Sequence, residues 1–207
     1  MNSNAIKEYK AQLRLTSRQH ELLVGMLLGD AHLERQSGQP VARLKVEHAV
    51  SQMEYVQWKY SEWREWVLTP PQTKEKSNRL GTVSNNEWFT TVSHAEFETY
   101  RAWFYDGNRK RIPPDLTLSA LGLAVWFMDD GSRKSRECRG LYLNTQSFRS
   151  EEIETLREIL KLDFGVGTST RQQSDGLQIY IPSSETFRFA QIVQPYMIET
   201  MYYKLPH

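Results

Sequence analysis

Cysteine is nearly absent from this sequence of 207 residues, and Cys138 alone cannot form an internal disulfide bond. Small secreted domains that depend on disulfides are therefore excluded, and an intracellular location is expected. The sequence does not distinguish an organelle, such as a mitochondrion or plastid, from the bacterial cytoplasm. Long apolar runs are also missing: no segment reaches the roughly 18 residues of a membrane-spanning helix, so no membrane association is expected.

An excess of positive charge is a third absence, because 26 lysines and arginines balance 25 aspartates and glutamates. A uniformly polybasic protein of the histone type is excluded, whereas a local basic surface is not. Phosphate-binding loops, dinucleotide fingerprints and nucleophile elbows are not found, which disfavours small-molecule enzymes of those classes. The five histidines show no ligand spacing with Cys138, so a zinc site is not expected.

The sequence contains one pattern twice. The apolar run 22–28 ends in Gly29-Asp30, and a second apolar run, 121–128, ends in Asp129-Asp130. Each run is apolar on nearly all sides of a helix, which predicts a buried helix. Each copy therefore opens with a buried helix that carries a carboxylate at its C-terminal end.

In each copy, cap-type residues precede this helix, and a strand, a second helix start, a hairpin and a third helix start follow it. These features fall at 16–17, 41–47, 51–54, 74–92 and 93–96 in the first copy, and at 119, 140–144, 150–152, 167–181 and 183–185 in the second. The serines at the later helix starts are the expected caps, at 51 and 93 in the first copy and at 150 and 183–184 in the second, and two acids follow Ser150. We predict two pseudo-symmetric α-β-β-α-β-β-α halves, residues 1–115 and 116–207, in an α/β (α+β) protein with antiparallel sheets. The Tyr/Trp-rich segment 55–66 is expected to belong to the core.

Two helices that are apolar on all sides most simply cover each other. Gly25 and Gly29, four residues apart, would allow a partner backbone to approach closely. Gly122 and Ala124 are the small residues expected opposite them. This packing would bring the acidic ends of the two helices together.

Carboxylates of Asp30 and Asp130 at one end of such a pair would repel each other and lie at the negative ends of two helix dipoles. A divalent cation would resolve both problems. Oxygen ligands with open positions suit Mg²⁺, with Mn²⁺ as a substitute, and phosphodiester hydrolysis is the implied chemistry. Lys110 and Lys204, at equivalent places in the two copies, could orient the attacking water or neutralise the phosphate.

The hairpins predict a surface for double-stranded DNA, because a two-stranded ribbon fits the major groove and turns every second side chain towards the bases. The candidate DNA contacts are the basic residues of these strands and turns: Arg35, Arg43, Lys45, Lys74, Lys76, Arg79, Arg133, Lys134, Arg136, Arg139 and Arg171. Together they would outline a basic saddle on a chain of near-neutral charge.

The two helix ends resemble the signature of the LAGLIDADG homing endonucleases. The likeness is carried by residues 23–31, LVGMLLGDA, and by residues 123–131, LAVWFMDDG. Likeness to a mitochondrial intron-encoded member of that family extends to 7–10, 66–71, 143–148 and 203–206, so nearly the whole chain is covered. The residues after Gly131 depart from that member, so its target sequence cannot be transferred.

The resemblance implies a monomer whose two halves meet at the LAGLIDADG helices and place two saddle-shaped sheets on DNA. It implies cleavage of an asymmetric target of roughly 18 base pairs, close to two turns of B-DNA, leaving short 3′ overhangs. Such cleavage promotes the mobility of an intron or intein. Two alternatives on the same fold stay open: an RNA-binding intron maturase, and a DNA-binding regulator that does not cleave.

The resemblance also implies roles for residues of the site. It assigns metal binding and catalysis to Asp30 and Asp130, further metal ligation to the carbonyls of Gly29 and Asp129, and catalysis to Lys110 and Lys204. A structural role is expected for the Asp129 side chain, because Gly29 takes its place in the first copy.

Overall fold

The computed structural model describes residues 3–77 and 83–206, without the side chains of Ser3, Lys76, Ser77 and Val83. The chain forms two compact units. The first comprises Met1–His20 and Asp30–Arg101, and the second comprises Glu21–Gly29 and Ala102–His207. These units are defined by contacts, whereas the predicted halves 1–115 and 116–207 are defined by the sequence repeat. The division into those halves stays a prediction.

The elements alternate as the sequence predicts, after an additional N-terminal helix, α1 (Ser3–Gln12). The first copy contains α2 (Ser17–Leu28), β1 (His32–Glu34), β2 (Arg43–Ala49), α3 (Met53–Glu62), β3 (Gln72–Ser77), β4 (Val83–Thr90) and α4 (Ala95–Phe104). The short strands β5 (Tyr105–Asp106) and β6 (Arg109–Lys110) form a hairpin after it. The second copy contains α5 (Ala120–Asp130), β7 (Gly131–Arg133), β8 (Leu141–Leu143), α6 (Ser150–Leu162), β9 (Ser169–Gln173), β10 (Gly176–Ile181) and α7 (Thr186–Val193).

The two larger sheets have the same topology. One sheet has the order β1-β2-β4-β3 and the other has the order β7-β8-β10-β9, and every pairing is antiparallel. The predicted α/β class with two copies of α-β-β-α-β-β-α is therefore confirmed. Short 3-10 helices complete the chain at Val50–Gln52, Arg64–Trp66, Gln194–Tyr196 and Glu199–Lys204.

Aromatic side chains build much of the core of the first unit. Trp63 and Trp66 are completely buried, and the ring of Phe97 lies 5.9 Å and 5.0 Å from their ring centres. Tyr55 is 1% exposed. These residues are core, as the sequence predicts. No helix among the described residues is long and apolar enough to span a membrane.

Side-chain caps fix the starts of the two signature helices, as expected. The Thr16 hydroxyl accepts from the backbone N–H of Gln19 at 3.1 Å, and the Gln19 side chain accepts from the backbone N–H of Thr16 at 3.1 Å. This reciprocal pair is a capping box. At α5, the Ser119 hydroxyl accepts from the N–H of Gly122 at 3.1 Å.

The predicted caps of the first copy's later helices are wrong in detail. Ser51 lies inside a 3-10 turn and Gln52 precedes α3 without a side-chain cap bond. A cap residue needs an extended backbone, which the 3-10 turn does not offer. At α4, His94 rather than Ser93 is the cap, because its Nδ1 accepts from the N–H of Glu96 at 3.2 Å.

The same correction applies to the second copy. Arg149 rather than Ser150 precedes α6, and the Glu152 side chain accepts from its backbone N–H at 2.7 Å. The two acids in the first turn of α6 are present as expected. Glu185 precedes α7 without a side-chain cap bond, so the predicted serine cap is absent there.

Candidate active site

The signature helices α2 and α5 approach each other at glycine. A methyl group added to Gly25 would come within 2.9 Å of the Gly122 Cα atom and closer still to its carbonyl oxygen. No side chain other than hydrogen fits between these backbones, since real Cβ contacts are longer. The predicted close approach of the helices is confirmed at this pair.

The partner of Gly29 differs from the expectation. A Cβ atom on Gly29 would lie 2.5 Å from the Cβ atom of Asp129, so the Asp129 side chain occupies the space that Ala124 was expected to face. Ala124 is completely buried and Asp129 is 9% exposed. The Asp129 side chain thus packs against the backbone of Gly29, which explains why one copy has glycine where the other has aspartate.

The two predicted catalytic acids stand at the ends of their helices. Asp30 follows α2 by two residues, and its side chain is 49% exposed. Its Oδ2 atom lies 3.6 Å from Nδ1 of His48, a buried residue of β2. Asp130 is the last residue of α5, and its carbonyl accepts from the N–H of Asn144 at 3.1 Å.

A lysine contacts the backbone directly before each of these acids. Lys110 Nζ donates to the carbonyl of Gly29 at 2.7 Å. Lys204 Nζ donates to the carbonyl of Asp129 at 2.9 Å and to that of Met128 at 2.5 Å. The last carbonyls of a helix have no partner inside the helix and carry its negative partial charge, so an ammonium group is stabilised there. Sequence reasoning predicted equivalent places for both lysines, but it did not predict these carbonyl contacts.

An ion pair anchors the hairpin that carries Lys110. Both terminal nitrogens of Arg109 donate to the Glu152 carboxylate at 2.9 Å, linking β6 to the first turn of α6. Burial acts to raise the pKa of Glu152, but the hydrogen bonds from Arg109 and from the Arg149 backbone outweigh it and lower the pKa. The hairpin turns at Gly107, whose φ of 61° favours glycine. The position of Lys110 is therefore fixed by its immediate neighbour.

Comparison with known proteins decides the family. The model of the LAGLIDADG DNA endonuclease family matches residues 20–189, which include both signature helices. The chain belongs to this family and is an endodeoxyribonuclease. The endonuclease is 34% identical over 217 aligned residues to a probable intron-encoded endonuclease of Wickerhamomyces canadensis, covering 99% of this chain and 91% of the relative.

Two further relatives are informative. The homing endonuclease I-WcaI, solved bound to its DNA recognition sequence, matches with a TM-score of 0.93 at 32% identity, over 99% of this chain and 93% of that one. A cytochrome b mRNA maturase bI2 of Debaryomyces hansenii is 26% identical over 193 residues, covering 89% of this chain and 72% of the maturase.

The open face of the first sheet carries basic residues of this endonuclease in ion pairs. Arg43 donates to Glu34 on the neighbouring strand at 2.8 Å and 2.5 Å. Partial burial acts to raise the pKa of Glu34, but Arg43 outweighs it and lowers the pKa. Lys74 donates to Glu47 at 2.8 Å, and Lys45 lies 3.6 Å from the same carboxylate.

The first copy has three other candidate DNA contacts, Arg35, Lys76 and Arg79. Arg35 forms a bidentate ion pair with Glu98, a carboxylate that also accepts from the Ala42 N–H at 2.9 Å. The hydrogen bond from Arg35 lowers the pKa of Glu98. Arg79 lies outside the described residues, and so does the side chain of Lys76.

The second sheet places its basic residues differently. Lys134 Nζ and the Arg171 guanidinium lie 5.4 Å and 4.8 Å from the centre of the Tyr180 ring. Arg133 stands opposite the buried Leu141 in the strand register, and paired residues share a face of the sheet. Arg133 therefore lies on the face of Leu141, and not on the face that carries Tyr180. Arg136 and Arg139 are exposed in the β7–β8 connection.

Sequence reasoning missed several polar residues beside these positions. Gln178 donates to Asn144 at 2.6 Å, and Tyr142 stands opposite Tyr180 in the register of the second sheet. The alternation of these strands would have indicated them, because every second residue shares a face. His48 was also missed. It lies on the buried side of β2, where a histidine is more often a core residue than part of a site.

Proposed function

We propose that this chain is a homing endonuclease that makes a site-specific double-strand break and thereby promotes the mobility of an intron or intein. The observation that carries the proposal is the repeated arrangement at the two helix ends. In each copy a lysine donates to the carbonyl of the residue before an aspartate. A merely structural helix end does not require the same lysine and acid in both copies.

The donor set suits a hard divalent cation. The Asp30 side chain is half exposed and Asp130 is partly exposed, so carboxylate oxygens remain accessible to water. Carboxylates and carbonyls with room for water are the ligands that Mg²⁺ prefers. We propose that Asp30 and Asp130 hold Mg²⁺, that Mn²⁺ can replace it, and that the carbonyls of Gly29 and Asp129 are further ligands. A bound cation of this kind lowers the pKa of water and stabilises the leaving oxygen.

The residues of the chain then have distinct roles in hydrolysis. Asp30 and Asp130 would hold the cation, which would neutralise charge on the scissile phosphates, one acid for each strand. Lys110 and Lys204 hold positive charge beside them, which stabilises the negative charge that develops on the phosphate in the transition state. The carbonyl contacts restrict both ammonium groups before DNA arrives, so little reorganisation is needed. Each half acts on one strand, and both strands are cut.

The two sheets support an asymmetric target. The first presents ion-paired Arg43 and Lys74, whereas the second presents Arg171 and Lys134 around an aromatic ring. Different side chains on equivalent strands would contact different bases. We propose that a monomer binds a target of roughly 18 base pairs, nearly two helical turns, and leaves short 3′ overhangs. The match to I-WcaI, which was solved with its DNA recognition sequence, supports this binding mode.

Cleavage selection tests the proposal. The purified protein is incubated with Mg²⁺ and a randomised or genomic DNA library, and the ends produced are sequenced. Recurrent double-strand breaks at one long site, lost in Asp30→Asn and in Asp130→Asn, are expected. Absence of cutting by the wild-type protein, with specific retention of intact DNA or RNA, would instead favour a regulator or a maturase.

A second candidate function is intron maturation. The similarity to the cytochrome b mRNA maturase bI2 over 89% of this chain favours it, and it is compatible with cleavage. Binding of the host intron RNA and stimulation of its splicing, measured with the Asp30→Asn variant, would separate the two activities.

The expected intracellular location stays a proposal.

A further inference from the structure

A lysine is buried in the core of the first unit. Lys59 lies in α3 and is 1% exposed, and its Nζ atom lies 3.0 Å from Nε2 of His48. Nζ also lies 4.2 Å from the centre of the Tyr55 ring. Lysine is almost never fully buried unless it is paired, so this placement needs a partner. A lysine ammonium has only hydrogen-bond donors, and Nε2 of His48 is therefore the acceptor.

This acceptor role determines how His48 faces Asp30. A neutral imidazole has one donor and one acceptor, so a ring that accepts at Nε2 carries its proton on Nδ1. Nδ1 is the atom that lies 3.6 Å from Oδ2 of Asp30. That distance exceeds a direct hydrogen bond, but Nδ1 is the ring nitrogen that faces the half-exposed carboxylate. Lys59 thus directs a donor of His48 towards the first acid.

The second copy has a different residue in place of His48. His32 and Ser132, each two residues after the acid, pair with Lys45 and Tyr142 on the neighbouring strands. Three residues further along, His48 therefore corresponds to Thr145. The Thr145 hydroxyl donates to the carbonyl of Leu177 at 2.8 Å.

The second copy also has no lysine in place of Lys59. The same offset of 97 positions relates Val56 to Ile153 and Lys59 to Leu156 in the numbering. Val56, Ile153 and Leu156 are all buried, which supports the correspondence. The first copy thus has a buried pair of lysine and histidine, whereas the second copy has a leucine and a threonine at the corresponding positions.

We propose that His48 is a positioning residue for Asp30 and that Lys59 selects the histidine tautomer that does this. The inference rests on the proposed function, because Asp30 is taken as a metal-binding acid. Hydrogen bonds from neighbouring groups orient carboxylate ligands and contribute to metal affinity. Since the second copy lacks the pair, loss of His48 affects the cleavage of one strand and not the other.

The tautomer is tested without any cleavage. In the ¹⁵N NMR spectrum of labelled wild-type protein, the His48 ring, assigned by its loss in His48→Asn, should show a protonated Nδ1 and an unprotonated Nε2. In Lys59→Met the Nε2-protonated form should become populated. A wild-type ring protonated on Nε2 would overturn the proposal.

Strand-specific cleavage tests the consequence. With each strand of the target end-labelled, His48→Leu should slow the cut on one strand by about 10- to 100-fold and accumulate nicked DNA. His48→Asn should restore the rate to within a few-fold, because its amide nitrogen lies close to the position of Nδ1. Thr145→Val, the matched change in the second copy, should not selectively slow the cut on the strand that His48→Leu affects.

Equal slowing of both strands by His48→Leu would indicate a general structural role and would overturn the inference. Failure of His48→Asn to improve on His48→Leu would do the same. If the wild-type protein cuts no DNA, the proposed function fails instead, and the tautomer measurement still decides whether Lys59 and His48 are linked.

Discussion

The Nζ atom of Lys110 lies 2.7 Å from the carbonyl oxygen of Gly29, the residue that precedes Asp30. Lys204 makes the corresponding contact with Asp129 and adds a second one with Met128. The two lysines differ in burial, because Lys204 is 8% exposed and Lys110 is partly accessible. We therefore expect the two lysines to have the same role in cleavage, and we expect the stability of the fold to depend more on Lys204 than on Lys110.

Replacement of the two lysines should separate activity from stability. Lys110→Met and Lys204→Met should each reduce double-strand cleavage by at least about 100-fold, if each supplies charge to the transition state. Lys204→Met should also lower the free energy of unfolding by about 2 kcal/mol, because it leaves buried carbonyls without their donor. Plasmid cleavage and urea unfolding measure the two effects. Full cutting by Lys110→Met would contradict its catalytic role.

Gly25→Ala should destabilise the helix pair, because its methyl group meets the backbone of Gly122. The backbones must separate, which costs about 1–3 kcal/mol in a well-packed core. Gly167→Ala is the matched control, since its methyl group would lie 3.6 Å from the nearest atom, in ordinary contact. Urea denaturation should show a lower midpoint for Gly25→Ala alone. Equal midpoints would mean that the helices can separate without cost.

Glu152→Gln should reduce stability in a pH-dependent way. Its pKa is lowered in the folded protein, so the stabilisation by Arg109 is fully present above the unfolded value of about 4.5 and is lost as the pH falls through the folded value. At neutral pH the loss should be about 2 kcal/mol, and the difference from wild type should shrink below about pH 4.5. Urea unfolding across this range measures it.

A matched control for this variant lies on the same helix. Glu154 pairs with Arg157 at 2.5 Å, but its side chain is 55% exposed. Glu154→Gln should therefore change the unfolding free energy by less than about 1 kcal/mol at any pH. If both glutamine variants behave alike, the anchoring of the Lys110 hairpin by Arg109 is not important for stability.

Arg171→Gln should weaken DNA binding. The residue is exposed on β9 and lies over the Tyr180 ring, where it can reach a phosphate or a base. A phosphate contact would reduce the slope of log affinity against log salt by about 1, whereas a base contact would relax specificity at one position. Arg157→Gln, which changes an arginine of α6 bonded to Thr168 at 2.9 Å, is the control. Fluorescence anisotropy at several salt concentrations should show the change only for Arg171→Gln.

The repeat, the fold class and the signature helices were readable from the sequence, because apolar periodicity and cap residues act locally. Thr16 and Ser119 cap the helices as predicted. Ser51 did not, because the tertiary structure continues the chain through a 3-10 turn at that point. Serine is compatible with both conformations, so its identity could not choose between them.

The contacts of the site were decided by the tertiary structure. Sequence position suggested equivalent lysines, but only folding brings Lys110 to a carbonyl 81 residues earlier. Likewise Lys59 and His48 are two unremarkable residues of an amphipathic helix and a strand until packing encloses both and makes one the partner of the other. Local pattern determines which elements form, because it is set by neighbouring residues. The pairing of buried polar groups depends on which elements meet, and no local pattern contains that information.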